Sequence, residues 1–417
     1  MSLDWLKELL QERRDNGLSR STLVAKHLDA TTIEIDGQRL INFGANDYLG
    51  LACHPDLLAA VFAEPVLSDP VFLEPGVSPI GSPSEISITP AMRWGSGASP
   101  LVSGYGPDHA TLEAELAKFE KSEAAIVFSS GFAANLGTVA ALASDRDIIF
   151  SDALNHASLI DGCRLSRAKI CVYPHVDIDV LRALIRQHRG TAQRALIVTD
   201  SLFSMDGDIA PLRAIVELAE EFEMVTIVDE AHATGIYGEN GLGVCESLDL
   251  LTRVPVRIGT LSKALGGLGG FVVGSYVLIE YLRNFARPYI YSTAMPSGMA
   301  RASRAALKLV HSMSEQRRLL KQKSLSLREG IHQLGFEVGS GDSPIIPIYL
   351  GDAKEVVRYA HELREHGLFV PAIRPPTVPL DRSLLRISLS VRHTDEQLRA
   401  LLKSLENVSQ ISGNHMQ

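Results

Sequence analysis

The stretch that decides the fold is RIGTLSKALGGLGGFVVG, which runs from Arg257 to Gly274. A β-prone run ends at Lys263, a glycine-rich turn follows, and a second apolar run completes the stretch. A lysine between a buried strand and flexible backbone is a candidate for a desolvated amine, which is nucleophilic near neutral pH and forms a Schiff base with an aldehyde. The alternative is a surface lysine in a loop, the commoner situation for a single lysine. Thr260 and Ser262 flank Lys263 with short hydroxyls that suit a phosphate group.

The composition describes a chain with a large core and no strong charge bias. Of its 417 residues 46% are hydrophobic, and 40 basic against 49 acidic residues give a net charge of −9. This balance, without a basic patch interleaved with aromatics, argues against nucleic-acid binding. The four cysteines lack CxxC spacing, which argues against a metal site or a disulfide framework. The sequence shows no signal-peptide segment and no apolar run of membrane-spanning length, so we expect a soluble, cytoplasmic protein.

From residue 124 onward, short apolar strands alternate with helices. Short, nearly all-apolar strands that alternate with helices indicate a mostly parallel sheet covered on both faces. The fold class is therefore α/β, a large domain followed by a smaller α+β domain. The predicted strands are 124–129, 147–150, 169–173, 195–199, 225–229, 256–261 and 271–274, with helices near 131–143, 156–166, 177–188 and 211–223.

The remaining segments have patterns of their own. Residues 3–15 place leucines on one helical face, which predicts a helix packed on the body of the protein or on a second subunit. A hairpin is expected around Asp36-Gly37, and strands at 344–350, 368–373 and 384–390 follow a long helical region. The predicted segments are an N-terminal arm at 1–50, a large domain at 51–295 with a Pro- and Ser-rich inserted loop at 64–93, a small domain at 296–407, and a polar, frayed tail at 408–417.

Polar residues follow the ends of several predicted strands. Because ligands of open α/β sheets bind at the carboxyl ends of the strands, we expect these residues to lie together. Ser130 opens a helix whose free N–H groups suit an anion, although an ordinary capped helix has the same pattern. His156 either stacks on a flat ring or caps the next helix, and Asp229 ends a buried strand.

An amine, a strand-end carboxylate, a stackable imidazole and an anion site together meet the needs of pyridoxal phosphate. The lysine binds the aldehyde, the aspartate keeps the ring nitrogen protonated so that the ring accepts electrons, and the helix terminus takes the phosphate. A Walker motif and a GxGxxG after the first strand are both absent, which weakens nucleotide-binding interpretations.

Five motifs resemble the α-oxoamine synthases, which are fold-type I enzymes that depend on pyridoxal phosphate. The motifs are SSGFAAN (129–135), NHASLIDG (155–162), VDEAHATGIYGENGLG (228–243), GTLSKALGGLGG (259–270) and IYSTAMP (290–296). The resemblance extends from about residue 42 to 393. Within the family, AIRPPTVP (372–379) is most similar to the branch that condenses L-alanine with a pimeloyl thioester in biotin biosynthesis. Glycine C-acetyltransferase, 5-aminolevulinate synthase and serine palmitoyltransferase are the sister activities.

The resemblance implies a role for particular residues of this chain. Lys263 carries the aldehyde and acts as the base, Asp229 pairs with the ring nitrogen, and His156 stacks on the ring. The other implied cofactor contacts are Ser204 and His232 at the ring hydroxyl, Ser130, Gly131, Phe132 and Thr260 at the phosphate, and Ser292 and Thr293 from the neighbouring subunit of a homodimer. The implied substrate contacts are Arg374 at the amino-acid carboxylate with Asn46 and Thr377 nearby, Arg386 as the competitor for that carboxylate, and Arg20 on the acyl-thioester side. His232 also stabilises a developing oxyanion, and no metal is implied.

The family pattern is broken on the approach to the acyl donor. Pro100 stands where the family usually has arginine, and the inserted loop at 64–93 directly precedes it. The expected reaction is decarboxylative condensation of L-alanine with a pimeloyl thioester of coenzyme A or a carrier protein. The same chemistry with another amino acid or acyl chain is the nearest alternative. A non-catalytic regulator or a ligand-binding module is disfavoured, because neither needs Lys263 together with Asp229 and His156.

Overall fold

The computed structural model describes residues 3–63 and 94–414. The predicted inserted loop at 64–93 and residues 415–417 of the predicted tail lie outside the described residues. The helices are Trp5–Asp15 (α1), Pro55–Phe62 (α2), Pro107–Phe119 (α3), Gly131–Leu142 (α4), Ala157–Ser166 (α5), Ile178–His188 (α6), Leu212–Glu221 (α7), Val244–Ser247 (α8), Tyr276–Phe285 (α9), Arg287–Tyr291 (α10), Ser297–His311 (α11), Ser314–Gln333 (α12), Ala353–Glu365 (α13) and Asp395–Asn414 (α14). The strands are Ala25–His27 (β1), Thr32–Ile35 (β2), Gln38–Asn42 (β3), Ala124–Phe128 (β4), Ile148–Asp152 (β5), Lys169–Tyr173 (β6), Ala195–Asp200 (β7), Val225–Asp229 (β8), Val256–Thr260 (β9), Gly270–Gly274 (β10), Ile345–Gly351 (β11), Leu368–Phe369 (β12), Ala372–Ile373 (β13) and Ser383–Ser388 (β14).

These elements form two compact units. The large unit contains the described residues of 51–202 and 210–314, and the small unit contains those of 1–50, 203–209 and 315–417. The domain boundaries predicted from the sequence stay a prediction. No helix among the described residues is long and apolar enough to cross a membrane.

The large unit is built on a seven-stranded sheet in the order β4-β10-β9-β8-β7-β5-β6. The pairs from β9 to β6 are parallel, and β10 runs antiparallel to both of its neighbours. Every residue of β5, β7 and β9 is buried, as expected for strands that are covered on both faces. Alternate side chains of β4, β7 and β9 pack with residues of α4, α5 and α9 in one apolar cluster. The predicted α/β class with a mostly parallel sheet is confirmed.

The glycine-rich segment 95–106 of the large unit closes on its own backbone. Pro100–Gly104 forms a π-helical turn in which the carbonyl of Ser99 accepts N–H groups from Val102, Ser103 and Gly104. A Cβ added to Gly104 would lie only 2.0 Å from the carbonyl oxygen of Ala98. The absence of a side chain at Gly104 therefore lets the turn close on itself.

The small unit contains two short sheets, with the orders β1-β2-β3-β12 and β11-β14-β13. The predicted hairpin is confirmed, because β2 and β3 pair antiparallel around Asp36 and Gly37, both of which have positive φ. The predicted single strand at 368–373 was wrong. Its first part, β12, pairs with β3, and its second part, β13, pairs with β14. Pro371 lies between the two parts and has no N–H to continue a ladder.

The structure bears on two predictions for the chain ends. Helix α1 forms, and Leu6, Leu9 and Leu10 are exposed, so the described residues do not bury its leucine face. The alternative, packing on a second subunit, stays a prediction. The tail predicted to fray after residue 407 continues as α14 to Asn414, because Leu405 and Val408 are fully buried on one face of the helix.

Candidate active site

The sheet of the large unit brings three polar strand ends to one edge. Asp200 at the end of β7 pairs in register with Asp229 at the end of β8, and β9 ends at Thr260 on the far side of β8. Gly270 at the start of β10 pairs with both Thr260 and Phe128, the last residue of β4. The residues that follow β4, at the start of α4, therefore lie beside Thr260.

The start of α4 has the geometry of an anion site. The Ser130 hydroxyl accepts the N–H of Ala133 at 3.0 Å, whereas the N–H groups of Gly131 and Phe132 have no partner within the helix because they precede its first full turn. A Cβ added to Gly131 would lie 3.2 Å from the Thr260 hydroxyl, so the two predicted phosphate contacts are adjacent. A phosphate fits this terminus both by charge and by its need for N–H donors.

The Thr260 hydroxyl is already engaged in the turn that holds the lysine. It donates to the carbonyl of Gly269 at 2.8 Å, and it lies 2.8 Å from the Ser262 hydroxyl. Ser262 is exposed, so its hydroxyl is the more accessible donor of the pair. Lys263 is half-buried, and its carbonyl accepts the N–H of Gly266, which has positive φ and lies against residues 51 and 52.

Asp229 is buried, and hydrogen bonds hold both of its carboxylate oxygens. Oδ2 accepts from the side-chain amide of Asn135 at 2.5 Å, and Oδ1 accepts the N–H of Ala231 at 2.8 Å. Hydrogen bonds to a carboxylate favour its charged form. Asn135 lies within the SSGFAAN motif but was not among the predicted site residues, because a sequence motif does not show which side chain reaches Asp229.

His156 caps α5 and lies half-buried beside this carboxylate. Its ring meets the ring of Phe132 edge to face at 6.4 Å between centroids, and its backbone N–H donates to Asp200 at 2.7 Å. Burial lowers the pKa of the His156 imidazole, the charge of Asp229 opposes this effect, and the charge of Lys263 adds to it. The imidazole is therefore neutral near pH 7.

Asp200 is a site residue that the sequence reasoning missed. Its carboxyl is buried, and burial followed by the neighbouring charge of Asp229 raises its pKa well above the usual range, while Lys263 has the opposite effect. Two buried carboxyls on adjacent strands favour one negative charge rather than two. The available signal was the TDS sequence at 199–201, an acidic residue at the end of an apolar strand. His232 is buried in the turn after β8.

The small unit contains a buried guanidinium. Arg386 on β14 is 5% exposed, and it donates to the carbonyl of Ser204 at 2.6 Å, to the side chain of Asn46 at 3.1 Å and to the Ser388 hydroxyl at 2.6 Å. Its Nη2 has no hydrogen-bond partner among the described residues. Tyr48 is fully buried nearby, and its hydroxyl donates to Asn46 at 3.2 Å. A buried guanidinium with an unused donor is suited to a carboxylate ligand.

Arg374 has a different environment, because it is half-buried and two of its N–H groups bond backbone carbonyls. It donates to the carbonyl of Gly17 and, at 3.1 Å, to the carbonyl of Ser19. Arg20 lies close enough that its charge adds to burial in lowering the pKa of Arg374, and Arg20 donates to the Thr377 hydroxyl at 3.4 Å. Arg374 thus binds the backbone of the segment that follows α1, and it lies beside the cationic side chain of Arg20.

Ser292 and Thr293 follow α10 in the large unit. Ser292 is half-buried and Thr293 is exposed, and both line a small cavity with Pro100, Tyr105 and other residues. The chain therefore presents these hydroxyls at a surface. Their assignment to a neighbouring subunit's phosphate stays a prediction.

The model of one protein family, aminotransferase class I and II, matches residues 38–405. The chain belongs to this family. An 8-amino-7-oxononanoate synthase of Anaeromyxobacter dehalogenans is 41% identical over 98% of this chain and 96% of its own length. A serine palmitoyltransferase variant from S. paucimobilis, solved with a PLP–myriocin aldimine bound, has 29% identity and a TM-score of 0.85 over 99% of this chain and 100% of that one. The 8-amino-7-oxononanoate synthase of Francisella tularensis has 29% identity and a TM-score of 0.71 over 89% and 98% of the two chains.

Family membership confirms several predictions at once. The chain is an α-oxoamine synthase, its cofactor is pyridoxal phosphate, and its class of activity is acyl transfer. The residues of the large unit fit this cofactor, because they offer an anion site at α4, a buried carboxylate and a neutral imidazole at one edge of the sheet.

Proposed function

We propose that the protein catalyses the decarboxylative condensation of L-alanine with a pimeloyl thioester of coenzyme A or a carrier protein. The products are 8-amino-7-oxononanoate, carbon dioxide and the free thiol, a step of biotin biosynthesis. The observation that carries this proposal is full-length similarity, at 38–41% identity, to relatives named 8-amino-7-oxononanoate synthase. The segment RPPTVP at 374–379 supports the same branch.

The large unit supplies groups that hold the cofactor and move a proton. The N–H groups of Gly131 and Phe132 bind the phosphate, and Asp229 holds a proton on the ring nitrogen. Pyridoxal phosphate, when bound, withdraws electrons from the α-carbon of the amino acid. The Nζ of Lys263 removes the α-proton and later returns one, which requires an amine that is uncharged at working pH. Burial of the neutral His156 keeps water from one side of the site.

We propose that Arg386 binds the amino-acid carboxylate, in place of Arg374. The assignment is supported by the unused Nη2 of a buried guanidinium among the described residues, whereas Arg374 is half-buried and bonds the carbonyls of Gly17 and Ser19. Asn46 fixes Arg386 through its side-chain oxygen. Three hydrogen bonds already fix the Arg386 guanidinium, so binding a ligand at Nη2 costs little further side-chain entropy.

We further propose a homodimer in which the exposed Thr293 and the half-buried Ser292 bind the phosphate of the neighbouring subunit. A shared site of this kind requires a two-fold interface, because each subunit then both gives and receives the same contact. Arg20 remains the proposed contact on the acyl-thioester side. Pro100, which stands where the family usually has arginine, removes a positive charge from that approach.

A second candidate function is condensation of another amino acid with another acyl thioester, as in serine palmitoyltransferase. It is favoured by one observation, the higher TM-score with a serine palmitoyltransferase than with the solved 8-amino-7-oxononanoate synthase, 0.85 against 0.71. Both structures are 29% identical to this chain, so the shape does not discriminate between the substrates.

The test is a matrix of amino acids and acyl thioesters with carbon dioxide release as the signal. Alanine, glycine and serine are each paired with acetyl, succinyl, pimeloyl and palmitoyl thioesters of coenzyme A and of a carrier protein. We expect the highest kcat/KM for alanine with pimeloyl. Preference for serine with palmitoyl would establish the second candidate. No release with any pair would refute both.

A further inference from the structure

We propose that Asn135 is a positioning residue whose two amide hydrogens orient two cofactor contacts at once. One hydrogen bonds the Asp229 carboxylate and fixes its position, and the other, relayed through Ser158, keeps the proton of His156 on Nε2. The inference rests on the proposed placement of the ring between Asp229 and His156, and it is independent of which substrates the enzyme uses.

A continuous chain of hydrogen bonds joins the two contacts. The Asn135 Nδ2 lies 2.5 Å from Asp229 Oδ2 and 2.9 Å from Ser158 Oγ, and Ser158 Oγ lies 2.6 Å from His156 Nδ1. Asn135 and Asp229 are each 3% exposed, and Ser158 is fully buried. Water therefore does not compete for these bonds, and each donor must find its acceptor within the chain.

The direction of each bond follows from counting hydrogens. Asn135 donates to Ser158, so the Ser158 hydroxyl keeps its own hydrogen to donate to His156 Nδ1. The backbone N–H of Ser158 also points at Nδ1, but at 3.3 Å it is a weaker contact than the 2.6 Å contact with the hydroxyl, so the hydroxyl decides the tautomer. A hydrogen on Nδ1 would face that N–H and would leave the buried hydroxyl of Ser158 without an acceptor. The tautomer with hydrogen on Nε2 satisfies the whole chain.

The orientation of the Asn135 amide carries a cost that supports a functional role. Its Oδ1 is buried and has no hydrogen-bond partner among the described residues. Rotating the amide by half a turn would instead bring two acceptors together at Asp229. An unsatisfied buried carbonyl is rare in native proteins, and such exceptions concentrate at functional sites.

The packing of α4 against α5 brings Asn135 and Ser158 together. Gly162 lies one turn after Ser158 on α5, and a Cβ there would lie 2.9 Å from Val139 and 3.3 Å from the Cα of Leu136. A glycine at this position therefore lets the two helices approach closely enough for the 2.9 Å bond. The helix that provides the phosphate site at its start thus also provides Asn135, one turn further on.

This arrangement serves the electronics of the cofactor. The hydrogen bond from Asn135 holds the Asp229 carboxyl in place for its contact with the ring nitrogen, and a neutral imidazole avoids placing a second positive charge against the protonated ring. Both conditions favour electron withdrawal from the substrate. Asn135 touches neither the proposed ring position nor the substrate, so its effect on the reaction is transmitted through Asp229 and His156.

The test uses Asn135→Asp, which keeps the size of the side chain and replaces the amide donor to Ser158 with an acceptor, while the new carboxyl and Asp229 share one proton. In the variant the Ser158 hydroxyl donates to the new carboxylate, so His156 must place its own hydrogen on Nδ1. Two-bond ¹H–¹⁵N NMR of the cofactor-free, histidine-labelled protein reports this tautomer, and the His156→Gln variant identifies the His156 signal among the 13 histidines. We expect Nδ1 without hydrogen in the wild type and with hydrogen in Asn135→Asp.

A second variant and a control make the result specific. Ser158→Ala cuts the relay to His156 but leaves the bond to Asp229, so it should move the His156 signal and change cofactor affinity by less than about threefold. Asn135→Asp should weaken cofactor binding by about ten- to a hundredfold, the equivalent of one charge-assisted hydrogen bond. Thr138→Val alters a buried side chain of α4 whose hydroxyl has no partner among the described residues, and it should change neither signal.

The outcomes separate the inference from the proposed function. A His156 signal that is the same in Asn135→Asp, Ser158→Ala and wild type would overturn the relay, whatever the enzyme's substrates are. A changed tautomer with unchanged cofactor affinity in Asn135→Asp would remove the proposed link from Asp229 to the ring. If Asn135→Asp does not fold, the Ser158→Ala signal still decides whether the relay exists.

Discussion

Replacement of Arg386 by lysine should weaken amino-acid binding far more than the same replacement of Arg374. A guanidinium that binds a carboxylate through two N–H groups loses about one charge-assisted hydrogen bond when it becomes an ammonium. Such a bond is worth about 1.5–3 kcal/mol, so the Kd for L-alanine should rise by about 10- to 150-fold in Arg386→Lys. Arg374 donates to the carbonyls of Gly17 and Ser19, so Arg374→Lys should change the Kd by less than about threefold.

The assay is titration of each cofactor-loaded variant with L-alanine, followed by the absorbance of the bound cofactor. Arg386 also bonds the Ser204 carbonyl and Asn46, so cofactor content and the midpoint of thermal unfolding are measured in parallel to separate misfolding from lost binding. Unchanged alanine affinity in Arg386→Lys, with a large loss in Arg374→Lys, would refute the reasoning and return the carboxylate to the residue first predicted from the sequence.

Four further predictions concern chemistry, assembly and acid stability. Lys263→Ala should abolish turnover without changing the unfolding midpoint, and appreciable turnover without added amine would show that another group is the base. Asp229→Asn should still bind the cofactor when it is supplied in excess but lose on the order of a thousandfold in kcat, because an amide cannot stabilise a charged ring nitrogen; a near-normal kcat would mean that Asp229 does not contact the ring. Light scattering should show a dimer, and an active monomer would contradict the shared site. Burial raises the pKa of Asp147, but hydrogen bonds from Arg194 and Ser144 outweigh it and lower the value to about 2, so this carboxylate stabilises the fold above pH 3.8 and the stabilisation is lost as pH falls through about 2. Acid unfolding followed by circular dichroism should show a smaller fall in stability between pH 4 and 2 in Asp147→Asn than in the wild type.

Much of the large unit could be predicted from local sequence. The strands β6 and β8 were predicted at their observed bounds, and the position of Lys263 after a strand and before a glycine turn is as expected. Apolar strands separated by amphipathic helices are a specific signal for a parallel α/β sheet, because few other structures bury such strands on both faces. The strand-end rule likewise led to Asp229 and Thr260 without knowledge of the sheet order.

Features that depend on contacts between distant parts of the chain could not be predicted from the sequence. Asn135 and Asp229 are 94 residues apart in sequence, and their contact depends on how α4 lies against the sheet. Asp200 was missed because its raised pKa arises from a neighbouring strand, not from its own sequence context. The strand predicted at 368–373 divides between two sheets, which local propensity does not reveal.

The choice between Arg374 and Arg386 shows which feature of the site could not be predicted from the sequence. The sequence alone led to an α/β enzyme that depends on pyridoxal phosphate and predicted a lysine, an aspartate and a histidine as its contacts, because those signals lie in short segments with fixed spacing. Both arginines have the right chemistry, and a proline-stiffened loop made Arg374 the natural candidate. Only the tertiary structure showed that Arg374 is half-buried and bonds two backbone carbonyls, whereas Arg386 is buried with its Nη2 unused among the described residues. The physical reason is that a hydrogen-bond donor is available for a ligand only if the folded chain has not already satisfied it, and residues far away in sequence decide this.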